Sequence, residues 1–366
     1  MRKKILTVVG ARPQFIKISP VSRVIRSKYV GIFEEILVHT GQHYSQNMSS
    51  VFFDELNLPA PNYHLGITAR SHGSMTGRML EAIERVCVIE KPGWVLVYGD
   101  TNSTLAGALA ASKLNIPVAH IEAGLRSFNK NMPEEINRIL IDHVSSLHFC
   151  PTEVAIRNLH AEGIEDTVHH IGDVMYDVAI YYWKQAIKKS DILKQLQLLP
   201  KEYILVTCHR AENTNDRKNL EEILSAFVEV SKQLPVVFPL HPRTKNLIHE
   251  YQYASYLNAL IVTEPLSFLD MLILEQSSRL ILTDSGGVQK EAFFHKVPCI
   301  TLRNETEWIE TVESGWNRLV GASKIRILEA VEQIMQNAVS NIAQLNLLYG
   351  AGDAAEKIVS ILADHH

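Results

Sequence analysis

The chain has 366 residues with a formal net charge of −4, 46% hydrophobic and 21% charged, the proportions of a globular protein long enough for two domains. The acidic balance excludes the basic footprint of a nucleic-acid binder, and no apolar run is long enough to span a membrane, so neither is expected as a partner. Four widely spaced cysteines, Cys87, Cys150, Cys208 and Cys299, form no Cys-x-x-Cys pair, which argues against a metal site of that type and fits a reducing cytoplasm.

Residues 2–4 are basic and residues 5–9 largely apolar, but the run stops at Gly10-Ala11-Arg12-Pro13, too soon for a signal peptide. It reads as a buried strand followed by a helix over 15–27. A strand over 35–40, a helix over 72–90, a strand over 94–98 and an alanine-rich helix over 103–113 follow. Next come a strand over 118–121, a helix over 134–144 and a strand over 146–150. A helical link from 181 to about 197 opens a second alternating series. Its strands are at 203–207, 236–239, 260–263, 280–283 and 299–302, and its helices at 220–233, 268–276 and 287–295. A last helix covers 354–366.

Such alternation predicts an α/β protein of two doubly wound, Rossmann-like domains with parallel sheets, facing each other across a cleft. The expected boundaries are 1–175 and 176–349, with the C-terminal helix, 350–366, packing back on the first domain. Ligands of such sheets bind beyond the carboxyl ends of the strands. In the first domain those ends are Gly10-Ala11-Arg12, Thr40-Gly41-Gln42-His43, Gly99-Asp100-Thr101 and Glu122-Ala123-Gly124, which should share one crevice.

The stretch Leu282-Thr283-Asp284-Ser285-Gly286-Gly287 runs from a strand into a glycine turn and a helix start. The amides of Ser285, Gly286 and Gly287 would lie at the positive end of a helix dipole, a cradle for phosphate. Glu291, one helical turn on, could accept from sugar hydroxyls. The pattern points to a nucleotide joined to a sugar. Arg12 and Lys17 could bind phosphate oxygens or be surface cations beside a turn. Asp100 reads as an active carboxylate or as the N-cap of the helix that follows. Glu134, behind Pro133, reads as an active carboxylate or as a first-turn acid on the dipole. Glu122, directly after an apolar strand, has no routine structural role. Three carboxylates in one crevice would repel and raise one another's pKa, which suits acid/base work. His209-Arg210 ends the first strand of the second domain and could bind phosphate or supply an acid. His241 repeats that logic at the next strand end, while Gln42 and His43 lie in a loop that could line a sugar pocket or simply face solvent.

Six motifs in order make the chain resemble the bacterial non-hydrolysing UDP-N-acetylglucosamine 2-epimerases, from Gly10 to about Asp353. They are Gly10-Ala11-Arg12-Pro13-Gln14-Phe15-Ile16-Lys17, Gly99-Asp100-Thr101, His120-Ile121-Glu122-Ala123-Gly124-Leu125-Arg126, Pro133-Glu134-Glu135-Ile136-Asn137-Arg138, Cys208-His209-Arg210 and Thr283-Asp284-Ser285-Gly286-Gly287. The resemblance implies a glycosyltransferase-B-like fold, a UDP-2-acetamido sugar as substrate, no redox cofactor, no metal, and a homodimer. Inversion at C2 would proceed by loss of the C2 proton and of UDP, followed by their return. It implies Asp100, Glu122 and Glu134 as acids and bases, with Glu122 favoured for proton abstraction, and His209 assisting UDP departure. Arg12, Lys17 and the Ser285–Gly287 amides would stabilise the leaving pyrophosphate. Glu291 would hold the ribose, Phe268 would lie near the uracil, and Gln42, His43 and Arg210 would match a second UDP-sugar pocket found in some members.

The chain departs from the common pattern in four places: Ala11-Arg12-Pro13-Gln14-Phe15 for Thr-Arg-Pro-Glu-Ala, a short loop at 127–132, Trp308 for an arginine, and Cys208 for a glycine. These features look like the branch acting on UDP-2,3-diacetamido-2,3-dideoxy-glucuronate, which serves surface polysaccharides. The competing readings are a UDP-sugar-dependent glycosyltransferase and a non-catalytic UDP-sugar sensor of the same fold.

Overall fold

The computed structural model describes residues 2–42, 53, 55–69, 71–336 and 348–365. The chain divides into two compact units, Met1–Ile180 with Asn346–His366, and Tyr181–Leu345. The division falls inside the helix Val174–Lys189.

The first unit holds strands β1 (Lys3–Val9), β2 (Phe33–His39), β3 (Tyr63–His64), β4 (Trp94–Tyr98), β5 (Val118–Ile121), β6 (Leu147–Cys150) and β7 (Val168–His170). They form one sheet in the order β3-β2-β1-β4-β5-β6-β7, and every pairing is parallel. Every residue of β4, β5 and β6 is buried, because helices cover both faces of a parallel sheet. This is why those strands read as largely apolar runs, interrupted only by the buried His120 and His148. The alanine-rich helix Asn102–Lys113 lies close on the sheet. A Cβ added at Gly107 would come within 3.2 Å of the Val8 and Val97 side chains, so small residues are needed on that face.

The second unit repeats the plan with β8 (Ile204–Thr207), β9 (Val236–Pro239), β10 (Ile261–Thr263), β11 (Leu280–Thr283), β12 (Cys299–Thr301) and β13 (Asn317–Leu319). Its order is β10-β9-β8-β11-β12-β13, again parallel throughout. In both sheets the order reverses beside the first strand of the unit. The loops after β1 and β4, and those after β8 and β11, therefore flank the topological switch points where ligands of such folds bind. The short strands β3, β7 and β13 escape sequence reading because two or three residues carry no usable alternation.

The helix Ala354–Asp364 belongs to the first unit. Its first turn is capped by Asp177, whose carboxylate accepts from the amides of Ala354 (3.2 Å) and Ala355 (2.8 Å). Burial dominates over these two bonds and raises the Asp177 pKa to about 6. The folded state thus holds this proton more tightly than the unfolded chain. Its contribution to stability is complete below about pH 4 and is lost as pH rises through about 6. His39, buried in the same unit, is pushed down to about 4 by burial and by His64 and imposes the opposite slope, so the wild-type curve alone is ambiguous. Comparison with Asp177→Asn isolates the carboxyl. In urea unfolding, the wild-type advantage over the variant should shrink by roughly 2–3 kcal/mol between pH 4 and 7. A difference independent of pH would contradict the assignment.

Candidate active site

At the switch point of the first unit the loops after β1 and β4 are tied together by Gln14. Its Oε1 accepts from the Gly10 (2.8 Å) and Ala11 (3.1 Å) amides, and its Nε2 donates to the Tyr98 carbonyl and to Thr104 Oγ1, both at 3.0 Å. A carboxylate at this position could not make the two donor contacts. Arg12 starts the helix Arg12–Lys28 and is half-buried. Lys17, one turn further, forms an ion pair with Glu122 at the end of β5.

Glu122 adopts φ +74°, a region that strains any residue with a side chain. Gly99, at φ +65°, lies directly beneath the pair: a Cβ there would be 3.1 Å from both Glu122 Oε2 and Lys17 Nζ. Asp100 does not cap the following helix. That role falls to Thr101, whose side chain accepts from the Thr104 amide. Asp100 is instead paired with Arg138 (Nη1 to Oδ2, 2.5 Å), which reaches it from the helix Pro133–Val144. Arg138 is itself held by Glu135 (Nη2 to Oε2, 2.7 Å).

The expected mutual repulsion of three carboxylates is thus replaced by separate pairing, because Lys17 and Arg138 each meet one of them. Burial alone would raise the Glu135 pKa, but the Ser127 amide, Arg138 and the Phe128 amide outweigh it and hold it below the usual carboxylate range. Glu134 is half-buried in the first turn of that helix. It lies one turn ahead of Asn137, which donates to the Asp100 carbonyl at 2.8 Å, and so shares a face with the groups around Asp100. Gln42 accepts from the amide (3.0 Å) and hydroxyl (2.8 Å) of Ser103, which places it at the start of the helix after β4. His43 lies outside the described residues.

In the second unit Asp284 ends β11 fully buried. Its carboxylate accepts from the amides of His209 (2.9 Å) and Arg210 (2.9 Å) and from Asn213 Nδ2 (3.1 Å). The loop after β8 is thereby locked to the loop after β11. The helix Gly286–Phe294 starts directly after Ser285. Around Gly286, a Cβ would meet Trp308 Nε1 at 3.5 Å, Glu307 Oε2 at 3.7 Å and Arg210 Nη2 at 3.9 Å. Arg210 therefore belongs to the surroundings of the glycine turn. Lys290 Nζ lies 3.9 Å from the centre of the Trp308 ring, a cation–π contact, and both residues are buried. Arg303 makes a bidentate pair with Glu307 (3.1 and 3.0 Å).

The rings of His209 and His241 stand 5.7 Å apart, and His241 Nδ1 accepts from the Arg243 amide. Phe268 is buried and meets Tyr182 edge-on at 5.7 Å, so most of its surface is committed to the core. Glu291 is half-buried on the helix after the turn. Among the described residues no group of three His, Cys, Asp or Glu side chains could hold a metal ion, and no helix is long and apolar enough to cross a membrane.

The family model described as UDP-N-acetylglucosamine 2-epimerase matches residues 27–363. The chain belongs to the UDP-N-acetylglucosamine 2-epimerase family. It is 52% identical over 364 residues to a UDP-N-acetylglucosamine 2-epimerase homolog of Methanococcus maripaludis, covering 98% of this chain and 99% of the other. It is 50% identical over 364 residues, with the same coverage, to the UDP-2,3-diacetamido-2,3-dideoxy-D-glucuronate 2-epimerase of Pseudomonas aeruginosa. The crystal structure of Methanocaldococcus jannaschii UDP-GlcNAc 2-epimerase in complex with UDP-GlcNAc and UDP is similar at a TM-score of 0.91 and 44% identity, with all of both chains covered.

Within this epimerase fold, Gln14, Asn137, Arg138 and Asp284 position other groups, and the side-chain partners are 38 positions away for Arg138–Asp100 and 90 for Gln14–Thr104. The only sequence signal for them was their place inside motifs. Asp284→Asn should turn one accepting oxygen into a donor facing backbone N–H groups. It should cost about 1–3 kcal/mol in urea unfolding, and an unchanged midpoint would show that the loop does not depend on this carboxylate.

Proposed function

We propose that the chain inverts C2 of a UDP-2-acetamido sugar by elimination and return of UDP, and that its sugar is the 2,3-diacetamido-2,3-dideoxy-glucuronate. The observation that carries the reaction is the pairing of Asp100 and Glu122 with their own cations at one switch point, in a chain of this family. An ammonium such as that of Lys17 favours the charged form of a carboxylate beside it, the form Glu122 requires as the base. Glu122 takes the C2 proton. The C2–H electrons become the C1–C2 double bond of a glycal, and the C1–O electrons leave on the β-phosphate of UDP. UDP then returns to C1 while Asp100 or Glu134, in its acid form, delivers a proton to the opposite face of C2, and proton exchange with solvent returns Glu122 and that acid to their starting forms. No electron is exchanged, so the cycle balances without a redox cofactor.

In this reading the second unit carries UDP. The amides of Ser285, Gly286 and Gly287 at the helix start receive phosphate, with His209 and Arg210 beside them. Glu291 holds the ribose, and Phe268 and His241 border the nucleoside. Arg12 and Lys17 supply positive charge at the first unit's turn. The domain roles follow: the first, 1–175 with 350–366, carries acid/base chemistry, and the second, 176–349, the nucleotide.

The identity of the sugar is supported by the relative at 50% identity and by Trp308, which with Lys290 occupies the surroundings of the glycine turn where the common pattern has an arginine. A changed residue there alters what the site accepts. We place the enzyme in the cytoplasm as a homodimer feeding surface polysaccharide synthesis. Ile136 and Leu140, exposed one turn apart on the helix Pro133–Val144, support a contact between two copies.

Incubation in D₂O with UDP-GlcNAc and, separately, with the diacetamido-glucuronate tests both parts. Deuterium should enter at C2 with a manno product from the second sugar. Product from UDP-GlcNAc alone would refute the sugar assignment, and exchange with neither, despite UDP binding, would refute the reaction. Glu122→Gln should lower kcat at least 100-fold with the UDP Kd changed less than threefold. Near-normal turnover in that variant would remove Glu122 as the base.

A further inference from the structure

We propose that the buried pair Asp142–His120 is a positioning device that sets both Asp100 and Glu122 for the epimerase reaction, an inference that rests on the roles given to those carboxylates above. Asp142 sits on the helix Pro133–Val144 and His120 in β5, and neither side chain is exposed at all. Asp142 Oδ1 is 2.6 Å from His120 Nδ1, and its Oδ2 accepts from the Gly124 amide (3.2 Å) and Arg126 Nη1 (2.7 Å). Burial would raise the Asp142 pKa, but His120 and Arg126 outweigh it and hold it below the usual range. Arg126 is anchored in turn by two bonds of 2.7 Å to Glu162.

The other face of His120 reaches the active loop. Its Nε2 lies 2.8 Å from the Gly99 carbonyl. A carbonyl and an ionised carboxylate both only accept, so Nε2 donates to Gly99 and Nδ1 donates to Asp142. The Gly99 amide donates to the Ile121 carbonyl at 3.0 Å. Residue 99 is therefore gripped by β5 at both its N–H and its C=O, and the peptide leading into Asp100 is fixed. The next carbonyl, that of Asp100, is held by Asn137. Glu122 is bracketed in the same way. Residues 120 and 124, two positions to either side, are bonded to one carboxylate, and between them Glu122 keeps a left-handed backbone that needs an external hold.

A packed apolar cluster would serve stability as well as a buried ion pair. The side-chain bonds run from His120 in β5 and from Asp142 to the backbone of Gly99 and Gly124, in the loops that carry the reacting carboxylates, which is why we assign them to geometry. A misplacement near 1 Å in such groups costs on the order of 100-fold in rate.

The test uses the full chain and compares kcat, KM and the UDP Kd of wild type with His120→Leu, His120→Gln and Asn137→Ala. Leucine removes the donor, and glutamine keeps a donor with similar reach. His120→Leu should lower kcat about 100-fold with KM and UDP Kd within threefold, glutamine should recover at least tenfold of that loss, and Asn137→Ala should lower kcat about tenfold. If the leucine variant does not fold, His120→Gln carries the test, with kcat expected about tenfold below wild type and KM and UDP Kd within threefold. Wild-type kcat in the variants would overturn the proposal. So would a joint fall of kcat, UDP affinity and thermal midpoint that glutamine does not repair, since that describes general support of the fold. A wild type that turns over neither sugar would instead overturn the reaction on which the proposal rests.

Discussion

A carboxylate taken out of water must be surrounded by donors, and in both units of this protein the donors are the loops that bear the site. Asp142 and Asp284 are each fully buried. Moving such an ion from water costs several kcal/mol unless its lone pairs are met, and removing one partner of a buried pair costs about 3–5 kcal/mol. Asp142 meets that need with His120, Gly124 and Arg126. Asp284 meets it with the amides of His209 and Arg210 and the amide group of Asn213. Each unit can bury its carboxylate only with the functional loop in place, so folding and site assembly are the same event.

The parallel sheets decide where those loops go. Because all strands of a unit run one way, the polar residues that follow them gather at one edge, and the reversal of strand order opens a place between neighbouring loops. The first such place holds two carboxylates, each with its own cation, and the second holds a glycine turn with a helix start, Arg210 and Trp308 beside it. Cys208 stands next to His209, yet burial pushes its thiol pKa well above the usual range. It is a packing residue and no nucleophile, which fits a reaction that passes through a free glycal.

Much of this was legible in the sequence for simple reasons. Fully buried strands such as β4, β5 and β11 leave short, largely apolar runs, and a glycine or acid directly after such a run marks a strand end. The motifs that follow, around Gly10, Gly99, Glu122, His209 and Asp284, were therefore readable as strand ends. What stayed hidden is pairing at a distance. Asp142 looks like any polar residue on an amphipathic helix, and nothing in a spacing of 22 positions links it to His120. Glu134 and Glu135 are adjacent acids in one first turn, but helical rotation sends Glu135 inward to hold Arg138, while Glu134 stays half-buried. Asp100 looked like a helix cap because aspartate caps helices well. Thr101 won that place because its hydroxyl and that of Thr104 satisfy each other's amides, which frees the Asp100 carboxylate for Arg138.

The central claim is that the C1–O bond breaks whenever C2 is inverted. The most direct measurement is positional isotope exchange in the UDP-sugar, with ¹⁸O placed in the bridge between C1 and the β-phosphorus. If UDP departs and returns, the label should scramble into the non-bridging β-phosphate oxygens at a rate comparable to deuterium entry at C2. Inversion at C2 with the label still wholly in the bridge would contradict the account, because it would require a mechanism in which UDP never leaves.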